Sequence, residues 1–311
     1  MPEAYIHSSV ALRANEKIYN KIKNKNVFIW GAQGPDPLYC YKFFSKNKEY
    51  DLNSLASLIH SQDGGLFLQD LILNAQTDIQ KDFVAGFVTH YIADIIMHPY
   101  VESQSSEGGK FDMPYGHGFC EVSLDSYIHQ LERHTMTVRG KEVAPQISDR
   151  EFSEIAGLIT SSLNTVYSFE VPKEEIVKAY KSFKYYHTHW FGTSNKLLRG
   201  MVKYVEKHIL KKPGILMCHI TPCPQPKNGY ISEWDNPFTR EHQHTSPIDL
   251  VNLSVNISAE YLKAVCKYFD GGLSDYSIRE IIGNRSFVTG LEAKKVNFEE
   301  KDNIEGTIYS D

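Results

Sequence analysis

Three side chains able to bind a metal, His90, Asp94 and His98, interrupt the otherwise apolar run from Gly86 to Pro99 at intervals of four. In an α-helix each fourth residue lies only about 40° further around the axis, so the three rise along one face. Burying that face without partners for these groups would be costly, and imidazole with carboxylate is a donor set that suits a divalent ion. His117 and Glu121 repeat the spacing, and Asp125 follows after four more residues. Two helices facing each other with such stripes would enclose a polynuclear nitrogen and oxygen site. A lone histidine on an apolar helix is ordinarily a hydrogen-bonded core residue; His90, Asp94, His117 and Glu121 taken together point to metal.

The elements that must carry these residues read as helices. Apolar residues recur at steps of three and four in Val10–Ile22, Leu52–Ile59, Leu66–Leu73, Phe83–Met97, Phe119–Leu131, Phe152–Val166, Glu174–Phe183, Lys196–Leu210 and Ile248–Tyr268. Strand-like alternation is scarce, so the expectation is an all-α fold. Asp51 before Leu52 and Pro172 before Lys173 resemble helix starts, whereas 140–146 and the proline-rich 221–229 read as loops. The expected organisation is one multi-helix domain over 1–285, with 286–311 as a C-terminal extension whose tail from about Val296 is solvated or loosely packed.

Composition narrows the partners. The 311 residues are 41% hydrophobic, enough to fill a core, and the 33 basic against 38 acidic residues leave a formal charge of −5. No Lys/Arg block stands out, so a nucleic acid is disfavoured as a partner except as a substrate. Five cysteines without the dense, even spacing of a disulfide framework fit a reducing compartment. The amino-terminal residues lack the basic and apolar regions of a secretory signal, which gives a cytoplasmic expectation. The longest apolar run, Phe83–Met97, is shorter than the roughly 20 residues that cross a bilayer and holds His90 and Asp94 in its middle, so it reads as a core helix and not a transmembrane segment.

The ordered set of His7, Trp30-Gly31-Ala32-Gln33-Gly34-Pro35-Asp36-Pro37, His60, His90 with Asp94, His98-Pro99 and His117 with Glu121 resembles the zinc-dependent phospholipase C family. The likeness spans about the first 130 residues. Ile231–Pro237 and the helix start Thr245-Ser246-Pro247-Ile248 look like a later part of many bacterial relatives and extend it to about residue 270. The resemblance implies an all-α domain of the phospholipase C and nuclease type, holding two or three zinc ions through His, Asp and Glu side chains and the chain's amino end. By motif, Asp36, His60, His90 and Asp94 would surround one ion, with Asp94 bridging toward a second that His7 completes. His98, His117 and Glu121 would hold the remaining ion. Asp36 is alternatively the catalytic base that takes a proton from the attacking water.

Other clusters carry less. Cys218-His219 with Cys223 lacks a second ligand pair at finger-like spacing and reads as a structural loop. His187 with His189 and His242 with His244 read as solvated pairs, and Tyr185, Tyr186, Trp190 and Phe191 as helix packing. The functional expectation is a zinc-dependent hydrolase of phosphoesters, phospholipase C-like, in which metal-activated water attacks a phosphodiester, with phospholipid at a membrane surface as one possible substrate. The alternatives are a phosphatase or nuclease on the same scaffold, and a metal-binding protein without catalysis. The substrate headgroup is left open.

Overall fold

A computed structural model describes residues 4–43, 45 and 48–293. In chain order its α-helices are α1 (Ala4–Lys17), α2 (Lys25–Ala32), α3 (Leu52–Ser61), α4 (Gly64–Asn74), α5 (Asp78–Ser105), α6 (Gly116–Arg133), α7 (Gly140–Val143), α8 (Asp149–Tyr167), α9 (Lys173–Tyr186), α10 (Lys196–Tyr204), α11 (Pro247–Phe269) and α12 (Asp275–Ile282). Among the described residues the only strand pair is a two-residue ladder, Trp234–Asp235 against His242–Gln243, so the fold is all-α as expected.

The long α5 is the axis of the molecule. Thr77 starts it: the hydroxyl accepts the N–H of Gln80 while the Gln80 side chain accepts the N–H of Thr77, a reciprocal cap of about 1 kcal/mol. From Phe83 to Asp94 every residue is buried, because α1, α2, α4, α6, α8 and α11 all pack against this helix. A helix that is apolar all round needs such a surround. The expected span Phe83–Met97 therefore extends at both ends, and Pro99 sits within the helix without ending it.

The closest packing is between α2 and α5, where glycines meet. A Cβ on Gly31 would lie 1.9 Å from the Phe83 carbonyl oxygen, and one on Gly86 would lie 2.1 Å from that of Phe28. Only glycine permits backbones this near. Trp30, fully buried on α2, donates its indole N–H to the Pro145 carbonyl at 2.9 Å and packs against Phe152, Tyr180 and Phe183.

Asp51 accepts the N–H of Ser54 and Pro172 precedes α9, as the sequence suggests. Three expectations change. The helix expected over Val10–Ile22 is shifted to Ala4–Lys17, because Tyr19 and Asn20 take positive φ and Asn15 clasps the turn through both backbone groups of Ile22. The expected loop 140–146 contains one helical turn, α7, fixed by Glu142 accepting the N–H of Arg139. The helices α2 and α12 have no counterpart in the periodicity; each is eight residues long, and α12 buries only Ile278 and Ile282.

The tail from about Val296 lies outside the described residues. Ser286 and Phe287, at the start of the expected extension, are buried, and the Phe287 ring lies 5.0 Å from that of Tyr91 and 5.4 Å from that of His60. No described helix is long and apolar enough to cross a membrane.

Candidate metal centre

The face of α5 that carries His90, Asp94 and His98 is met by α1, α3, α6 and a 3₁₀ turn at Asp36–Cys40. Asp94 lies at the centre, 1% exposed. Its Oδ1 is 3.2 Å from His7 Nε2 of α1, and its Oδ2 is 3.1 Å from His90 Nε2 and 3.5 Å from His60 Nε2 of α3. Asp36 Oδ1 approaches His60 Nε2 at 3.1 Å. On the far side, Glu121 Oε1 is 2.8 Å from His117 Nε2 and 3.4 Å from His98 Nε2, with the two rings stacked. All eight residues singled out in the sequence thus converge on one buried region. They fall into three groups whose ligand atoms lie within 4.8 Å of one another: His7, Asp36 and His90; His60, His90 and Asp94; His98, His117 and Glu121. Proximity puts Asp36 beside His7 as well as beside His60.

Backbone carbonyls set the rings. Nδ1 of His60 faces the Ala56 carbonyl at 2.7 Å, Nδ1 of His90 that of Ala32 at 3.2 Å, and Nδ1 of His98 that of Phe287 at 3.0 Å. A carbonyl only accepts, so each Nδ1 carries the proton and each Nε2 turns a lone pair inward. His117 is held the same way by a carboxylate, with Nδ1 3.0 Å from Glu102 Oε1. Sequence reasoning passed over Glu102, although it continues the four-residue stripe of α5 beyond His98.

The inward atoms are therefore almost all acceptors. Both oxygens of Asp36, Asp94 and Glu121, Nε2 of His90 and both ring nitrogens of His7 are buried with no hydrogen-bond partner. Leaving so many polar atoms unpaired costs several kcal/mol per charged group. Cations placed among them would offset that cost, and mixed imidazole and carboxylate is the donor chemistry of zinc. The residues present fit a metal cluster.

Protons are drawn to the same acceptor atoms as a metal cation would be. Burial opposes ionisation of Asp94 and Glu121, yet the surrounding histidines hold both carboxyls well below their usual range. Burial likewise opposes charge on His98 and His117, but Asp94 and Glu121 overcome it for His98, pushed up to about 9, and Glu121 with Glu102 for His117, pushed up to about 10. Burial lowers His90.

Asp125 does not join the cage, although the stripe on α6 suggested that it would. Its carboxylate accepts the N–H groups of Tyr5 and Ile6, each at 2.9 Å, and so anchors the start of α1, where backbone donors lack helical partners. That places His7. Gly34 serves His90: its φ is +53°, and a Cβ there would lie 2.2 Å from the His90 ring. The five cysteines are buried, and none is in a disulfide among the described residues. Among the other histidine pairs, His242 contacts Asp235 on the surface at 2.7 Å.

The cage opens on one side. His60, His98, His117 and Glu121 line a cavity of about 560 Å³ whose other walls include Tyr39, Phe43, Tyr115, Leu210, Ile215 and Leu216. Among the described residues no lysine or arginine lines it, and histidines are the lining side chains that can carry positive charge.

A family model described as zinc dependent phospholipase C matches residues 6–168, a span that contains all eight cage residues. No curated protein and no solved structure matches the chain.

Proposed function

Because the chain belongs to the zinc-dependent phospholipase C family, we propose that the buried cage hydrolyses a phosphodiester whose apolar portion lies in the adjoining cavity. The observation that carries this reading is the juxtaposition of an acceptor-rich cluster with an open, largely apolar cavity: His60, His98, His117 and Glu121 belong to both. A cage that only stabilised the fold would not need to open onto a cavity of this size. The apolar walls suit a phospholipid better than a nucleotide or a small phosphorylated metabolite.

His7, His60, His90, His98, His117, Asp94 and Glu121 would hold two or three zinc ions. When bound, these ions supply activation of water and neutralisation of charge on the phosphate oxygens. The chain does the rest. Ala32, Ala56 and Phe287 keep the Nδ1 protons of His90, His60 and His98 in place, so that the ring lone pairs face the site. Asp36, with both oxygens free of hydrogen bonds, accepts the proton of the attacking water. Tyr39, Phe43 and Leu216 exclude bulk water and orient the apolar part of the ester.

The test combines elemental analysis with hydrolysis of p-nitrophenyl phosphorylcholine, bis-p-nitrophenyl phosphate and phospholipid. At least two tightly bound divalent ions and turnover of a phosphodiester are expected. Asp94→Asn is expected to lose metal and activity together, and Asp36→Asn to keep most of its metal while turnover falls by about a hundredfold or more. A fully metallated protein that cleaves none of these substrates overturns the reading, and a fully active Asp36→Asn removes Asp36 as the base.

A further inference from the structure

The helix α10 and its wider-wound continuation over Val205–Leu210 are anchored by one face only. Val202 packs into a small cluster with Phe191, Leu216, Met217 and Ile220, and the buried Glu206 carboxylate accepts the N–H groups of Leu216 at 2.5 Å and Met217 at 2.7 Å. These two residues fix which side turns outward. At about 100° per residue, Leu197, Met201 and Tyr204 fall within roughly 60° of one another and about 100 to 160° round from Val202. They are 74%, 58% and 62% exposed, and Ile209 and Leu210 after them are 66% and 41% exposed. A row of large apolar side chains held in solvent on a well-anchored helix marks a contact surface.

The charge around the row says what it contacts. Between Lys196 and Lys212 there are six basic residues, Lys196, Arg199, Lys203, Lys207, Lys211 and Lys212, against one carboxylate, the buried Glu206, in a chain whose formal charge is −5. They form no contiguous block because apolar residues are interleaved at helical spacing. Among the described residues none of these six pairs with a carboxylate. Apolar residues along one line of a helix, flanked by lysines whose stems can lie along an apolar boundary, match a surface that is anionic outside and hydrocarbon inside. A two-fold contact with a second copy would set the same lysines against each other. The segment is also continuous with the site: Leu210 is exposed at its end and lines the cavity with Ile215, Leu216 and the cage residues.

We infer that α10 and the turn to Leu210 dock the protein on an anionic phospholipid surface, with the mouth of the cavity beside the lipid. The purpose of the docking rests on the hydrolase reading, whereas its occurrence is measured without turnover. The metal-loaded full chain is floated with vesicles of phosphatidylcholine alone and of phosphatidylcholine with phosphatidylserine, at low and physiological salt. Binding to the serine-containing vesicles that weakens with salt is expected. Lys203→Gln with Lys207→Gln should weaken it by on the order of tenfold or more at low salt. Leu197→Gln with Met201→Gln should weaken it by on the order of tenfold at either salt. Both double variants should hydrolyse soluble p-nitrophenyl phosphorylcholine like the parent. The inference is overturned if the parent ignores anionic vesicles, or if both variants bind as the parent does. It is equally overturned if sedimentation shows a dimer that Leu197→Gln with Met201→Gln dissociates. A chain that docks but cleaves no phosphoester overturns the hydrolase reading and supports the docking; one that cleaves the soluble ester and does not dock overturns the docking alone.

Discussion

At His117 the ring is gripped from both sides, by Glu121 at 2.8 Å within the cage and by Glu102 at 3.0 Å from outside it. A carboxylate behind a ligating imidazole fixes its tautomer and raises its basicity, and loss of such a partner typically costs about 10 to 100-fold in metal affinity. Glu102→Gln is therefore expected to weaken one ion by about that factor in a chelator competition while the remaining metal stays bound; an unchanged titration would show that Glu102 does not support the ligand. Gly34→Ala acts on His90 instead. The added methyl meets the ring at 2.2 Å in a backbone with φ of +53°, so the variant should lose both thermal stability and metal, read together by melting and elemental analysis. The cage was legible at this scale because His90, Asp94 and His98, like His117 and Glu121, repeat at four. His7 and His60 had only their order in the chain to single them out. Glu102 had the right spacing but lies beyond Pro99, which reads as a stop. The carbonyls of Ala32 and Phe287 carry no side-chain signal at all.

Elements decide whether those residues meet. The α6 stripe of His117, Glu121 and Asp125 divides its labour: the first two face the cage, and the third takes the backbone donors at the start of α1. Spacing places the three on one side of a helix, but only the packed position of α1 decides which of them reaches a metal. One helical turn further, His129 has Nδ1 2.5 Å from the Thr135 carbonyl and Nε2 3.2 Å from Glu142, so both ring nitrogens face acceptors. Burial opposes its charge, but Glu142 and the Thr135 carbonyl raise its pKa above the ordinary value. A raised pKa means that folding favours the protonated ring. The stabilisation is complete below the unfolded value of about 6.5 and is lost as pH rises through the higher folded value. Glu142→Gln should accordingly lower the melting temperature of the metal-loaded protein more on the acid side of that window than on the alkaline side. A difference from the parent that does not vary with pH would mean that the ring is not held charged. The glycine crossing of α2 and α5 was equally hidden: eight residues including Gly31 give too little periodicity to announce a helix, yet that crossing brings the Ala32 carbonyl to His90.

For the molecule as a whole, the all-α fold was readable from the apolar periodicity of long helices such as α8 and α11, whose expected spans lie within the observed ones. How they surround α5 was not, since a helix buried on all sides gives no face to assign. The family match ends at residue 168, whereas Leu210, Ile215 and Leu216 of the cavity wall come from beyond it. The cage lies wholly within the matched span, whereas the cavity wall draws on residues inside it, such as Tyr39 and Phe43, and on residues beyond it. The cage draws on α1, α3, α5, α6 and the turn at Asp36, so metal bound there would tie together segments distant in sequence. Any ligand that binds only the folded chain stabilises it by mass action, about 4 kcal/mol per site at a thousandfold excess over Kd. In a domain near this size each kcal/mol moves the midpoint by roughly 2 to 4 °C, so stripping the metal should lower Tm by on the order of 10 °C. Calorimetry before and after chelation, with residual metal measured, checks this, and added zinc should restore the midpoint. Asp94→Asn, which removes the carboxylate at the centre of the cage, should melt low from the outset and respond little to chelator. If the parent melts unchanged once its metal is shown to be gone, the helices pack without the ions, and protonated histidines beside Asp36, Asp94 and Glu121 neutralise the carboxylates instead.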